Sequence, residues 1–334
     1  PSASDWTKTE GSLVSRHSLN TPSGYDLPVI FLAGTTASGK TELALRLAEE
    51  FPIDLVSVDS GQVYRGMDIG TAKPPREILE RTPHALIDIR DLESPYSAAD
   101  FRADARQLIS QSHSRGRIPL CVGGTLFYFS ALLHGLSKLP RADAALRASL
   151  EEEAQSIGWH GLYERLRRLT PDSSEHIEPQ DRQRILRALE IHELGGQLGP
   201  ETQRSGGLID ANISVLKLCL FSSDRRVLHE RISRRFEQML GTGFLDEVKS
   251  LKSACPNAQE TPAMRSVGYQ QAWQYLDGKI GRQQFEEDTQ TATRRLAKRQ
   301  LTWLRNDPGW IWFDALNPGV IKAVSGFLAS AGCR

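Results

Sequence analysis

One octapeptide restricts the possible folds of this chain more than any other feature, because it fits the pattern G-x-x-x-x-G-K-S/T. It consists of Gly34, Thr35, Thr36, Ala37, Ser38, Gly39, Lys40 and Thr41. An apolar segment at residues 29–33 precedes it and an amphipathic segment at residues 42–50 follows it, which predicts a buried strand, a loop and a helix. The glycines let backbone N–H groups converge on phosphate oxygens at the positive end of that helix. The octapeptide therefore predicts a phosphate-binding loop, in which Lys40 adds a positive charge and the Thr41 hydroxyl can bind Mg²⁺.

Strand and helix patterns alternate after this loop. Strand patterns lie at residues 54–58, 85–89 and 118–122, and a helical pattern occupies residues 98–112. This order is typical of an α/β fold with a parallel sheet. From residue 141 to about residue 199 the strand patterns stop, and helical patterns take their place at residues 144–156, 159–168 and 181–194.

A Gly-rich polar stretch at residues 195–207 ends this helical part, and a strand pattern returns at residues 213–221. Two long helical patterns follow at residues 224–252 and 282–305. We therefore predict an α/β fold with a P-loop NTPase-like parallel sheet core and an inserted helical domain. The predicted parts are a flexible tail at residues 1–26, a first core part at 27–140, the insertion at 141–207, and a second core part with a helical C-terminal region at 208–334.

Charge and cysteine usage restrict the partners of the chain. The 41 basic residues balance the 41 acidic ones, so no global field attracts nucleic acid and any such contact must come from local clusters. The four cysteines lie far apart without a CxxC pair, which disfavours a zinc site or a disulfide framework and favours the reducing cytoplasm. No stretch approaches the roughly eighteen apolar residues of a membrane helix, and residues 1–26 lack an apolar signal core.

Candidates for chemistry lie where strands are predicted to end, because the carboxyl ends of parallel strands face the same crevice as the phosphate loop. Asp59 either takes a proton from a nucleophile or caps the turn that Ser60 and Gly61 complete. Asp88 either caps a turn or helps to bind metal. The strand at residues 118–122 ends in Gly-Gly-Thr125 and not in the aspartate that ATPases and GTPases direct at Mg²⁺. The loop alone leaves NTPases, small-molecule kinases and diphosphate-using transferases open.

The segment that begins at Asp59 is far more specific than the loop. Residues 59–74 read DSGQVYRGMDIGTAKP, which closely resembles the signature after the phosphate loop in bacterial tRNA dimethylallyltransferases, also called tRNA isopentenyltransferases. The resemblance covers about residues 27–314, and similar blocks follow in family order at residues 122–128, 183–190, 235–244, 265–269 and 298–305. Two departures are visible: Thr35 stands where the family usually has proline, and Ser60-Gly61 stands where Ser-Ala or Ser-Arg is more frequent. Neither departure removes a phosphate ligand or the carboxylate.

The resemblance implies transfer of a dimethylallyl group from dimethylallyl diphosphate to N6 of the adenosine 3′-adjacent to the anticodon, in tRNAs that read codons beginning with U. Asp59 would then accept the proton of the amine. The loop amides, Lys40, Thr41 with Mg²⁺ as cofactor and, by resemblance, Arg235 would stabilise the departing diphosphate. By resemblance Thr125 lies near the amine or its carboxylate, whereas a threonine after two glycines otherwise stabilises a turn.

The resemblance also implies a tRNA anticodon stem-loop as partner of a monomeric protein, with the helical insertion as part of the tRNA-binding surface. The implied tRNA-binding residues are Asp59, Ser60, Gly61, Gln62, Thr125, Arg147, Gln183, Arg184, Ile185, Leu186, Arg187, Arg265, Ser266, Val267, Gly268, Tyr269, Gln270, Lys298, Arg299 and Arg305.

Arginine clusters and aromatic residues could serve the RNA, although each has a plainer explanation. A charge cluster is usually a solvated surface, and the resemblance favours RNA contact for those around residues 182–187, 225–235 and 294–305. Tyr269, Trp303 and Phe127 either stack on bases or belong to the core. Two rival functions remain at this point: a small-molecule or nucleoside kinase, and a nucleotide-dependent RNA-binding switch without transfer chemistry.

Overall fold

A computed structural model describes residues 27–196 and 204–333, so the predicted tail and residues 197–203 of the predicted loop lie outside the described part. Its strands are β1 (Val29–Gly34), β2 (Ile53–Val58), β3 (His84–Ala85), β4 (Ile118–Gly123), β5 (Leu136–Ser137), β6 (Arg204–Ser205), β7 (Val215–Phe221) and β8 (Ile311–Asp314). The helices are α1 (Lys40–Glu50), α2 (Arg76–Arg81), α3 (Ala98–Ser114), α4 (Leu126–His134), α5 (Ala144–Leu169), α6 (Pro171–Ser174), α7 (Arg182–Glu193), α8 (Arg225–Gly241), α9 (Phe244–Ala254), α10 (Tyr269–Leu276), α11 (Arg282–Asn306) and α12 (Val320–Ser330), with a 3₁₀ helix at Pro256–Glu260.

Six strands form one parallel sheet in the order β3-β2-β4-β1-β7-β8. Successive side chains of β1 enter opposite apolar layers: Phe31 packs in one cluster and Ile30 and Leu32 in the other. Helices cover both faces, which explains why the central strands are apolar along their whole length. The predicted α/β class with a parallel core is therefore confirmed.

The helices of the insertion have an apolar core of their own. Leu150 and Leu162 of α5 pack with Ile185 and Leu189 of α7, apart from the two layers of the sheet. The chain leaves the core and returns to it side by side, because β5 pairs antiparallel with β6. The two helical patterns predicted at residues 144–156 and 159–168 correspond to the two halves of α5, which Gly158 separates with non-helical backbone angles, φ of 77° and ψ of 158°. The domain limits stay a prediction.

Two predicted elements are wrong. The strand expected at residues 85–89 ends at Ala85, because Leu86 and Asp88 adopt left-handed backbone angles, with φ of 66° and 56°. The helix expected at residues 224–252 is divided into α8 and α9 by Gly243, whose φ of 98° a helix cannot contain. Helices α2, α4, α10 and α12 and strand β8 were not predicted. Within the described ranges, no helix is long and apolar enough to cross a membrane.

Candidate active site

The octapeptide forms a loop between β1 and α1, as its pattern predicts. Gly39 precedes the helix with a φ of 91°, which favours glycine, and no side chain caps the helix. The first-turn N–H groups of α1 are therefore available to an anion. The Lys40 amine turns back over the loop and donates to the Thr35 carbonyl oxygen at 2.6 Å. The Thr41 hydroxyl is on an exposed residue that lines the cavity described below.

Asp59 follows the last residue of β2 and is held by the turn after it. Its Oδ1 accepts hydrogen bonds from the backbone N–H groups of Gly61 at 2.8 Å and Gln62 at 3.3 Å. The other carboxylate oxygen takes part in neither bond, and the residue lines the cavity. The turn-capping and chemical alternatives are therefore compatible, because the turn N–H groups bond to only one of the two carboxylate oxygens.

Thr125 connects the ends of β4 and β2. Its backbone N–H donates to the Val58 carbonyl oxygen at 3.1 Å, and its Oγ1 accepts from the Ser60 N–H at 3.0 Å. The Ser60 hydroxyl lies 3.3 Å from the same Oγ1. Thr125 therefore stabilises the turn that carries Asp59, whichever further role it has.

Two cations face the Asp59 carboxylate. The pKa of the Lys40 amine is lowered to about 8, chiefly because burial disfavours the charged form; the Arg235 guanidinium also lowers it, whereas Asp59 raises it. Burial likewise lowers the pKa of Arg235, and Asp59 raises it. Two like charges held together against a single carboxylate leave an excess of positive charge, which a bound diphosphate would neutralise.

A cavity of about 1820 Å³ surrounds these groups. Ten of its lining residues are lysines or arginines, whereas Glu42 and Asp59 are the acidic ones. The balanced charge of the whole chain thus conceals a strongly positive cavity. Such a volume exceeds what a prenyl diphosphate alone requires and leaves room for part of a larger polyanion.

Many of the predicted tRNA-binding residues meet at this cavity. Those in its lining are Asp59, Ser60, Gly61, Gln62, Thr125, Arg184, Arg265, Ser266, Val267, Gly268, Tyr269, Lys298 and Arg299. Those outside it are Arg147, Gln183, Ile185, Leu186, Arg187, Gln270 and Arg305. Arg184 belongs to α7, so the insertion contributes to the same cavity as the core. The roles of these residues in binding and catalysis stay predictions.

Three of the predicted tRNA-binding residues have side chains inside the protein, which leaves only their backbone for contact with RNA. Ile185 and Leu186 are buried among the helices of the insertion. Tyr269 is fully buried, and its hydroxyl donates to Glu247 Oε1 at 2.6 Å, so the ring cannot stack on a base. Phe127 and Trp303 differ: their exposed fractions are 49% and 45%, and both line the cavity.

Several polar side chains on the tRNA-binding list already have structural partners. Arg147 and Arg187 both pair with the buried carboxylate of Glu190, at 3.2 and 2.6 Å. The Gln62 amide nitrogen donates to the carbonyl oxygens of Thr71 and Ala72, at 3.3 and 3.4 Å. These bonds stabilise the insertion and the segment after Asp59, respectively.

Two supporting residues, Glu247 and Lys73, have no recognisable signal for their contacts in the local sequence. The Glu247 carboxylate of α9 accepts hydrogen bonds from the backbone N–H groups of Asp68, Ile69 and Gly70. The amine of Lys73 is buried between Asp68 and Asp88, so the Asp88 carboxylate forms an ion pair, which is neither of the two roles expected for it from sequence. Both contacts fix the segment that follows Asp59. The partners of Glu247 are 177 to 179 residues away, and no local pattern predicts such a contact.

The chain is a phosphate-loop α/β protein. Its phosphate loop follows the carboxyl end of a central parallel strand, and a carboxylate and a cation-rich cavity lie beside it. The family model described as "IPP transferase" matches residues 62–307. The chain therefore belongs to the IPP transferase family.

Individual relatives are similar over nearly the whole chain. It is 50% identical to a tRNA dimethylallyltransferase of Alkalilimnicola ehrlichii over 305 residues, which are 90% of this chain and 96% of that protein. The crystal structure of a tRNA isopentenylpyrophosphate transferase from Bacillus halodurans is similar with a TM-score of 0.66 and 36% sequence identity. The match covers 91% of this chain and 96% of that one. The structure of a eukaryotic dimethylallyltransferase acting on tRNA is similar with a TM-score of 0.69 and 26% sequence identity. The match covers 92% of this chain and 79% of that one.

Proposed function

We propose that the chain is a tRNA dimethylallyltransferase that transfers the dimethylallyl group of dimethylallyl diphosphate to N6 of the adenosine 3′-adjacent to the anticodon. The tRNAs would be those that read codons beginning with U. The observation that carries this proposal is the position of Asp59, opposite Lys40 and Arg235 at the phosphate loop. A proton acceptor next to a diphosphate site is what amine prenylation requires.

The reaction forms one C–N bond and breaks one C–O bond. The N6 lone pair attacks the first carbon of the dimethylallyl group, and the electrons of the C–O bond leave with the diphosphate. The amine, a weak nucleophile, loses a proton to Asp59 as the bond forms. The turn amides at Gly61 and Gln62 hold the carboxylate in place during this step.

Negative charge grows on the diphosphate as the C–O bond breaks. Groups that are preorganised around that charge stabilise the transition state more than the ground state. Lys40, Arg235 and the first-turn N–H groups of α1 would have this role. The amine of Lys40 is held by the Thr35 carbonyl and is therefore fixed before the substrate binds.

Mg²⁺ would bind at this site together with the diphosphate. Among the described residues, no group of three His, Cys, Asp or Glu side chains could hold a metal by itself. Mg²⁺ commonly keeps several waters and binds through one or two protein oxygens plus substrate phosphates, and the Thr41 hydroxyl would be such an oxygen. The ion would offset the charge of the diphosphate.

The remaining proposals concern partners and location. The anticodon stem-loop would enter the cavity between the insertion and the core, where Arg184 and Arg299 both line the wall. Reaching the amine requires that the adenine leave its stack. We place the protein in the cytoplasm as a monomer.

The donor is tested by following diphosphate release in the presence of unmodified tRNA. We expect release with dimethylallyl diphosphate that depends on tRNA, and no transfer of phosphate when ATP replaces the donor. Phosphate transfer from ATP with no prenyl transfer would instead identify the kinase alternative.

Donor binding should depend on pH through Lys40. Its pKa of about 8 means that the free enzyme carries the charge below that pH and loses it above, so affinity for the diphosphate falls as pH rises. We expect KM for the donor to rise by up to about tenfold between about pH 7 and pH 9. Lys40→Arg, which stays charged, should flatten the profile and controls for ionisation of the diphosphate itself. An unchanged wild-type KM would contradict this role of Lys40.

The positive cavity predicts salt-dependent tRNA binding. Arg184→Ala and Arg299→Ala should each weaken tRNA binding and reduce the slope of log Kd against log salt by about one, because each removes a phosphate contact. Arg46→Ala is a matched control, since that exposed arginine lies on α1 outside the cavity lining. Equal slopes for all three variants would exclude these two arginines as contacts.

A further inference from the structure

A single buried amide connects the phosphate loop to the end of β4. Gln300 lies on α11 with an exposed fraction of 7%. Its Oε1 accepts a hydrogen bond from the backbone N–H of Thr36 at 2.8 Å, and its Nε2 donates to the carbonyl oxygen of Gly124 at 2.9 Å. The two partners are 264 and 176 residues away, so the contact exists only in the folded chain.

The absence of a side chain at Gly124 makes room for the Gln300 amide. A Cβ atom at Gly124 would lie 2.5 Å from Gln300 Nε2, so a larger residue there would displace the amide. Thr36 belongs to the phosphate loop, and Gly124 immediately precedes Thr125, which fixes Ser60 beside Asp59. The amide thus joins the part of the site that would bind diphosphate to the part that would accept the proton.

The same helix also contributes to the outer wall of the cavity. Lys298, Arg299 and Gln300 all line it, but the first two are exposed whereas Gln300 is buried against the phosphate loop. Helix α11 therefore has cations on the side that would face RNA and a single amide on the side that faces the phosphate loop.

We propose that Gln300 is a positioning residue, which sets the distance and orientation of the phosphate loop relative to the turn at Gly124 and Thr125. This inference rests on the proposed function. Gln300 acts through the backbone, since both of its hydrogen bonds go to main-chain atoms. Loss of the amide lets the loop shift, and displacement of a reacting group by about 1 Å can cost about 10²-fold in rate.

Two variants distinguish the effect of the amide hydrogen bonds from the effect of side-chain size. Gln300→Met keeps the length of the side chain and loses both hydrogen bonds. Gln300→Glu keeps an acceptor for the Thr36 N–H, loses the donor to Gly124, and adds a negative charge next to the phosphate loop. We expect kcat/KM for dimethylallyl diphosphate to fall about 10- to 100-fold in Gln300→Met and further in Gln300→Glu, with Kd for tRNA within about twofold of wild type.

A glutamine on the same helix provides the control. Gln290 Oε1 accepts from the Ser233 hydroxyl at 2.7 Å and from Arg294 Nη2 at 3.1 Å, and the residue lies outside the cavity lining. Gln290→Met should therefore lose a comparable tertiary contact and lower the midpoint of thermal unfolding, without changing kcat/KM for the donor. A purely structural Gln300 would give the same result as Gln290.

The deciding measurement is calorimetric titration of the wild type and both Gln300 variants with inorganic diphosphate, alongside transfer kinetics. Weaker diphosphate binding in both variants, with tRNA affinity retained, supports the proposal. Wild-type diphosphate affinity in a folded variant, or an equal loss of tRNA affinity, overturns it. If the wild type binds diphosphate but transfers no prenyl group, the proposed function fails while the test of Gln300 still stands.

Discussion

Replacing Asp59 with asparagine is expected to lower kcat for prenyl transfer by roughly 10²- to 10⁴-fold, with Kd for tRNA nearly unchanged. The asparagine carbonyl oxygen can still accept the hydrogen bonds that Gly61 and Gln62 donate to Asp59 Oδ1, so the turn is retained. What is lost is the group that takes the amine proton, together with the negative charge that faces Lys40 and Arg235. Single-turnover kinetics with saturating donor and tRNA measure the effect directly.

The other end of the same strand provides a control. Asp54 lies near the start of β2, where its carboxylate pairs with Arg115 and Arg117 and accepts from the Ser112 hydroxyl. Asp54→Asn should lower the free energy of unfolding and leave kcat intact. A retained kcat in Asp59→Asn would remove Asp59 from the chemistry.

Removal of the Lys40 amine is the second change with a large expected effect. Lys40→Ala should lower kcat/KM for dimethylallyl diphosphate by about 10²- to 10³-fold, the usual cost of removing one preorganised donor from a developing anion. The variant should have a lower kcat as well as a higher KM, because the charge on the diphosphate is greatest in the transition state. Affinity for tRNA, measured without donor, should change little.

Lys249, an exposed residue of α9 outside the cavity lining, is the matched control. Lys249→Ala should behave as wild type in every assay. If Lys40→Ala raised KM alone, Lys40 would bind the substrate and the transition state equally, and the account of its role in stabilising the leaving group would be wrong.

The parts of the site that could be predicted from sequence are those built from neighbouring residues. The octapeptide at residues 34–41 has a pattern that predicts its loop, and Asp59 follows a strand whose apolar pattern is clear. The loop and Asp59 lie close together because the carboxyl ends of the parallel strands β1 and β2 are on the same side of the sheet.

The parts that could not be predicted depend on contacts between distant residues. Gln300 and Glu247 bind backbone atoms in distant segments, and nothing in their local sequence distinguishes them from surface residues. Residues 85–89 are mostly apolar, as in a strand, but Leu86 and Asp88 have a left-handed backbone, and Asp88 and Ile89 donate hydrogen bonds to the segment after β2. A count of charges along the sequence also does not predict the cation-rich cavity, since folding brings together most of its cations from α7, α8 and α11.

Aromatic residues illustrate the same limit. From sequence, the core is favoured over RNA contact to the same degree for Tyr269, Phe127 and Trp303. Folding separates them, because Glu247 holds Tyr269 inside the protein whereas the other two stay exposed at the cavity. Burial of a side chain depends on which elements meet, and the spacing of aromatics along one helix does not contain that information.

Prenyl transfer to tRNA is measured by mass analysis of the nucleosides of an unmodified tRNA after incubation with the protein and dimethylallyl diphosphate. We expect one adenosine, 3′-adjacent to the anticodon, to gain a dimethylallyl group at N6, and Asp59→Asn to form this product far more slowly. Unmodified adenosine after incubation with folded, tRNA-binding protein, or equal product from Asp59→Asn, would contradict this expectation.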